Sequence, residues 1–298
     1  MESPASINDV GAGAKISDEA IDFKVGGGDQ NQELPHTFDD VRVYNRILSP
    51  DEIKRLYKIG STFKINTSQN TGTLKDGLVG YWSFDDQDLA GVTAYDRSGN
   101  ANNGTLTNGP ERTIGKIGQG LRFDGLNNRV SSPSAPSLML SSSITVSAWV
   151  KSVNEGTGWL TIFDKHSPSV NNNYVLEVVE GTSGAAREVD FFYYSSGGVA
   201  NEWQTTDNVL LPNEWTHLAA TFTFGAGSSM RIYVNGVSVA GGWTTGDGTL
   251  IPASDDDGFG IGALQSGGNE FGGTIDDVRI YNRVLSPDEI KRLYNTGR

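Results

Sequence analysis

From Val79 onward, apolar side chains recur at every second position in short runs, and Gly, Asn, Asp, Ser and Thr separate the runs. A period of two is the period of a half-buried β-strand. The pattern predicts strands over 79–84, 121–123, 129–131, 144–151, 160–165, 174–179 and 189–195. It continues over 203–205, 215–224, 230–234, 237–240, 258–263 and 273–281. Asn235-Gly236, between RIYV and VSVA, is a two-residue hairpin signal. A helical period appears only in the tail, where Ser286, Pro287 and Glu289 form a capping box and Leu285 and Ile290 the hydrophobic staple. So many antiparallel strands with one short C-terminal helix predict an all-β fold of two packed sheets.

The tail occurs twice. Residues 39–57 and 276–294 match at 17 of 19 positions, differing only at Val43/Ile280 and Ile47/Val284. Duplication explains such identity, and chance does not. The first copy therefore marks residues 1–60 as the end of a preceding unit, with strands expected at 21–25 and 38–44 and a closing helix. Polar residues 61–76 read as an extended linker, and residues 77–298 as one complete domain. Two strands and a helix bury no core alone, so residues 1–60 are expected to pack on a neighbouring repeat or to self-associate. A parent protein longer than this chain is the corresponding expectation.

Composition narrows the chemistry. A net charge of −13 opposes nucleic acid and anionic membranes as partners. The absence of Cys removes disulfides and thiolate chemistry, and three scattered His residues oppose a His-ligated zinc site. No apolar run is long enough to span a bilayer.

The motifs GLVGYWSFDD (77–86), AYDRSGNANNGTL (94–106), GQGLRFDG (118–125), SITVSAWVK (143–151), NEWTHLAATF (213–222), MRIYVNGV (230–237) and FGGTIDDVRIYNRVLSPDEI (271–290) follow one another in order. This succession resembles the laminin-G-like jelly rolls of the concanavalin A-like lectin/glucanase superfamily. The resemblance implies two stacked antiparallel sheets, a ligand-holding face, an extracellular or cell-surface setting and a structural Ca²⁺ where the opening and closing strands meet. Hard cations take carboxylate, amide and carbonyl oxygens, which makes Asp85, Asp96, Asn100, Asp276 and Asp277 the expected ligands. Asp255, Asp256 and Asp257 form a second acidic run, read as a solvated loop.

Trp82, Trp149 and Trp215 occupy strand positions that the resemblance assigns to the core. Trp159, Trp203 and Trp243 stand in polar contexts, and exposed rings are platforms for the CH faces of sugars. These three, with Lys165 and Tyr193, are the expected ligand-binding residues, and Glu202, Gln204, Asp207 and His166 are possible polar neighbours. Retaining β-glucanases carry E-x-D-x-E or E-x-D-x-x-E on one strand. Here Glu188 and Asp190 are followed by Phe192 and Tyr193 where the third acid belongs, and the match reads as coincidence at a sheet edge. The sequence thus predicts a non-catalytic, Ca²⁺-assisted module that binds a polysaccharide or glycan surface. A purely structural repeat that builds a stalk or fibre is the rival, and a glucanase is the disfavoured third reading.

Overall fold

The computed structural model describes residues 43–50, 52–53, 73–153, 158–165, 174–180, 187–253 and 257–297. Two units, Met1–Asn70 and Thr71–Arg298, make up the chain. The strand expected at 21–25, most of that at 38–44 and residues 61–72 of the linker lie outside the described residues, as do His166, Asp255 and Asp256.

In the second unit the strands begin with β1 Leu78–Trp82, β2 Leu89–Ala90, β3 Thr93–Ala94, β4 Gly104–Thr107, β5 Glu111–Ile114 and β6 Gln119–Asp124. They continue with β7 Arg129–Ser134, β8 Ser143–Ser152, β9 Gly158–Lys165, β10 Tyr174–Glu180, β11 Arg187–Tyr194 and β12 Ala200–Thr205. The last are β13 Thr216–Thr223, β14 Arg231–Val234, β15 Val237–Ser238, β16 Gly241–Thr245, β17 Asp257–Ile261 and β18 Gly272–Tyr281, followed by helix α1, Pro287–Thr296. Each run of alternating residues is a strand. Unforeseen were β2, β3, β4, β5 and β16, which are too short or too polar to carry an alternating apolar signal.

One sheet has the order β15-β14-β13-β8-β18-β6-β5, with β1 also paired to β18; the other runs β16-β12-β11-β10-β9-β17-β7-β4-β3-β2. Their inner faces meet in a single core, where Trp82 packs against Phe259 and Phe163 with ring centroids 4.6 and 5.9 Å apart. The result is the antiparallel jelly-roll sandwich. Trp149 is buried on the opposite face of its sheet, stacked on Tyr294 of α1. Trp215 departs from expectation: it sits half-buried in the turn before β13.

Helix α1 covers the outer face of the eight-stranded sheet, burying Leu285, Ile290 and Leu293 against Tyr233 and Tyr281. Its capping box is complete, with the Glu289 amide donating to Ser286 Oγ and the Ser286 amide to Glu289 Oε2. Arg283 holds the same carboxylate through two bonds, 2.7 and 3.0 Å. The first copy builds this local device again. There the Ser49 amide donates to Glu52 at 2.7 Å, and Arg46 grips Glu52 at 2.7 and 3.1 Å. In both copies the arginine hydrogen bond pulls the glutamate down to about 2. Packing is what differs: Ile290 is fully buried, and its counterpart Ile53 is 56% exposed.

Replacing Ile290 with Ala is therefore expected to destabilise the sandwich by about 2–5 kcal/mol. Ile53→Ala should change it by no more than about 0.5 kcal/mol. Urea denaturation of the two variants checks both.

Candidate functional site

With α1 over one outer face, the outer face of the ten-stranded sheet carries the pocket. Alternation puts it there. Tyr174, Leu176 and Val178 of β10 and Val189, Phe191 and Tyr193 of β11 point into the core. Val175, Glu177, Asp190 and Phe192 must then point outward. On β12, Asn201 and Trp203 are buried inward and Glu202 faces out. On β9, a register shift opposite Leu176/Glu177 places Thr161 against Glu177 and Trp159 against Val179.

These side chains, with Leu264 and Asn269, line a pocket of about 180 Å³. The loop between β17 and β18 forms one wall. It is fastened to the sheet by the Thr161 amide donating to the Asn269 carbonyl (2.8 Å) and the Gln265 amide donating to Asp164 Oδ2 (2.7 Å). Gly260 lies directly beneath, where a Cβ would collide with the Ala263 carbonyl and the Gln265 amide. Trp159, 52% exposed, forms the rim. Phe192 and Tyr194 extend the aromatic surface, edge to face with centroids 4.9 Å apart.

Three carboxyl groups from three adjacent strands meet in this pocket: Glu177, Asp190 and Glu202. Glu177 and Asp190 stand directly opposite one another in the β10–β11 ladder, a placement that destabilises two like charges. Asp190 is wholly buried, and no N–H or O–H of the protein donates to either of its Oδ atoms. Glu177 receives one long bond, 3.4 Å, from the Asn269 amide. Burial pushes Glu177 up to about 8, with Glu202 adding repulsion against the Asn269 bond. Burial, then Glu177, then Glu202 raise Asp190 well above the carboxylate range, and the group a protonated Asp190 reaches is the Glu202 carboxyl. Among the described residues that line the pocket there is no Lys, Arg or His.

Among the expected ligand-binding residues, Trp159 lies in this pocket. The four others do not. Trp203 is 6% exposed and Tyr193 fully buried, both turned into the core, because each is in register with inward neighbours. Tyr193 donates its hydroxyl to the Leu250 carbonyl at 2.7 Å. Lys165 is fully buried at the end of β9, opposite the inward-facing Tyr174. Trp243 packs on the core from edge strand β16 and donates its Nε1–H to the Gly227 carbonyl at 3.1 Å. The E-x-D match was also misplaced: Asp190 lies mid-sheet, between β10 and β12. Glu177 was not foreseen. Its signal was an acid inside a run that is apolar on both faces, YVLEVV, where a solvated face would carry more polar residues.

The five expected calcium ligands are divided by the structure. A bulge inserts an extra residue between inward-facing Ile275 and Val278, with Asp277 at φ 52°. Asp277 pairs with Arg279 at 2.9 Å. Asp96 is occupied by the amides of Tyr81, Ser98 and Asn102 and by the Ser98 hydroxyl, and Asn100 donates to the Val79 carbonyl. Asp85 and Asp276 do approach one another, across the Gly115–Gln119 turn. The Gln119 amide donates to Asp85 at 2.9 Å, and those of Lys116 and Ile117 donate to Asp276 Oδ2 at 2.7 and 2.8 Å. The other oxygen, Oδ1 of Asp276, is buried without a donor. Burial lifts this carboxyl to about 8 against its two amide bonds, and Asp277 and Asp85 add repulsion. Among the described residues no three Asp, Glu or His side chains cluster closely enough to hold an ion. The orphaned oxygen suits a cation, and such an ion must take its remaining ligands from carbonyls and water.

The fold has known relatives. The Laminin_G_3 family model matches residues 123–291, and the chain belongs to the concanavalin A-like lectin/glucanases superfamily. No curated protein matches it. Domain 4 of AbnA, an extracellular arabinanase from Geobacillus stearothermophilus solved in complex with arabinotriose, is 25% identical. That match covers 73% of this chain and 98% of that domain, with a TM-score of 0.54. The binding domain of Paraclostridial Mosquitocidal Protein 1 is 17% identical, with a TM-score of 0.58 over 75% of this chain and 53% of that one. A Trypanosoma rangeli sialidase matches over 73% of this chain and 32% of its own length, at 21% identity and a TM-score of 0.52. The last two show the fold alone.

The raised carboxyl groups have a consequence for stability. Folded Glu177 keeps its proton to about pH 8, and the unfolded residue releases it near 4.5. The folded state therefore binds more protons across that interval, and stability falls as pH rises through it. Asp190→Asn should remove part of this slope and raise stability at pH 8 by about 1–2 kcal/mol, with little effect near pH 4. Thermal denaturation against pH measures it.

Proposed function

We propose that the domain is a non-catalytic carbohydrate-binding module of a secreted or surface protein, with its ligand in the pocket between Trp159 and Asn269. The observation that carries this reading is the pairing of an aromatic rim with a buried carboxyl group, Asp190, that lacks a protein donor. Sugars present both features in reverse, with CH faces that stack on rings and hydroxyls that donate and accept. The arabinotriose complex of the Geobacillus domain supports the same reading by likeness. Hydrolysis is no part of it. Beyond Asp190 the strand offers Phe192 and Tyr193 where a third acid would stand, and Tyr193 points into the core.

Calcium at Asp85 and Asp276 is the second element of the proposal, supported by the donorless Asp276 Oδ1. A role for the first closing element in self-association draws on exposed Val43, Ile47 and Ile53; light scattering that finds only monomers contradicts it.

Trp159→Ala should weaken oligosaccharide binding by about tenfold or more on a glycan array, and wild-type protein should release no reducing sugar from the glycans it binds. Retention unchanged by the substitution refutes the site. Calcium added after chelation should raise the melting temperature, and Asp276→Asn should abolish the rise. An equal rise in that variant moves the ion elsewhere.

A further inference from the structure

Resting on that reading of the pocket, the geometry points to a ligand that carries a protonated amine, an amino sugar with a free ammonium group. Asp190 decides between ligand classes. Its side chain is entirely buried, lines the pocket and accepts nothing from the protein. The carboxyl groups of Glu177 and Glu202 stand beside it, contributed by the strands on either side.

Among the described residues the charged groups nearest to them are acids, and Arg129 of β7, whose Nη1 lies beside Gly267 of the loop, is outside the lining. Across the sheet on β9 stands Asp164, which the Gln265 amide holds; Glu188 lies beside Asp190 on β11, and Glu270 in the loop takes the Gly268 amide. Among the described residues of the lining none is basic. Uronic, sialic and sulfated sugars would therefore add like charge to a desolvated acidic site.

A neutral sugar hydroxyl can bond to one of these acids, but it leaves the three-carboxyl juxtaposition uncompensated. An ammonium group has three donors and no acceptor, which suits a site where Asp190 accepts nothing from the protein and Glu177 and Glu202 each accept one long bond, from Asn269 and Thr245 (3.4 Å each). The pocket is smaller than those that hold drug-sized ligands and suits a single sugar unit. Trp159 and Phe192 supply the ring faces for its CH groups and for the adjacent cation. Glu177, pushed up to about 8, holds its proton in the pocket near pH 7. An arriving ammonium displaces such a proton to solvent, so binding is coupled to proton release.

The test is titration calorimetry of the intact chain at pH 7. Tetramers of β-1,4-linked glucosamine and of α-1,4-linked galactosamine are each compared with their N-acetylated forms and with the parent neutral hexose tetramers. At least one free-amine tetramer should bind about tenfold or more tighter than its acetylated form, and weaken between about 50 and 500 mM salt. Heats measured in buffers of different ionisation enthalpy should reveal release of about one proton per ligand. Asp190→Asn and Glu177→Gln should reduce the amine's affinity to that of the acetylated form, with the near-ultraviolet dichroism of the core tryptophans unchanged. Equal or tighter binding of the acetylated and neutral tetramers, without proton release, overturns the amine assignment and leaves the binding module standing. Failure of every amine tetramer to bind overturns the assignment as well. The module itself then stands or falls on Trp159-dependent binding of neutral glycans.

Discussion

A β-strand assigns successive side chains to opposite faces, and the pocket depends on that coupling. In β11, Phe191 and Tyr193 are wholly buried in the sandwich core. Asp190 and Phe192 have no choice but the other side. Neighbouring strands obey the same rule, so a ladder aligned by its apolar core also aligns Glu177 with Asp190 and carries Glu202 alongside. One residue of slippage would reverse every side chain on a strand. The core therefore sets the register, and the register brings the acids together.

The same rule explains how much was legible. Strands such as β8, β13 and β18 announced themselves because both their length and their apolar alternation are strong, and the family motifs ran in order along them. Short polar strands such as β4 and β16 are held by their neighbours and leave no periodic mark. Trp203 and Trp243 misled because polar neighbours in sequence suggested exposure. In the fold those polar residues face outward from the very strands whose tryptophans face in. Glu177 and Asp190 were hidden for a different reason. Assembly of a site across three strands is a property of register, and register between distant segments cannot be read from either segment alone.

The repeated closing element separates what is local from what is not. Both copies build the Ser–Glu capping box and the Arg–Glu pair with nearly the same distances. Those contacts span six residues or fewer, and the sequence alone suffices for them. Burial of Ile290 needs Tyr281 and Tyr233, which the sandwich supplies. The five expected calcium ligands divide in the fold. Asp96 is engaged by its own loop and by the Tyr81 amide of β1, and Asn100 by the Val79 carbonyl of β1, whereas Asp85 and Asp276 are brought together across the Gly115–Gln119 turn.

The central claim is that three uncompensated carboxyl groups make this outer face a binding site. Carbon-13 NMR of the side-chain carboxyl groups, titrated from pH 3 to 9 and assigned through Glu177→Gln, Asp190→Asn and Glu202→Gln, tests it most directly. The account predicts that Glu177 titrates near pH 8, that Asp190 titrates far above other aspartates, and that a bound oligosaccharide displaces both transitions. Ordinary titration of both groups near pH 4, unaltered by any glycan, would contradict it.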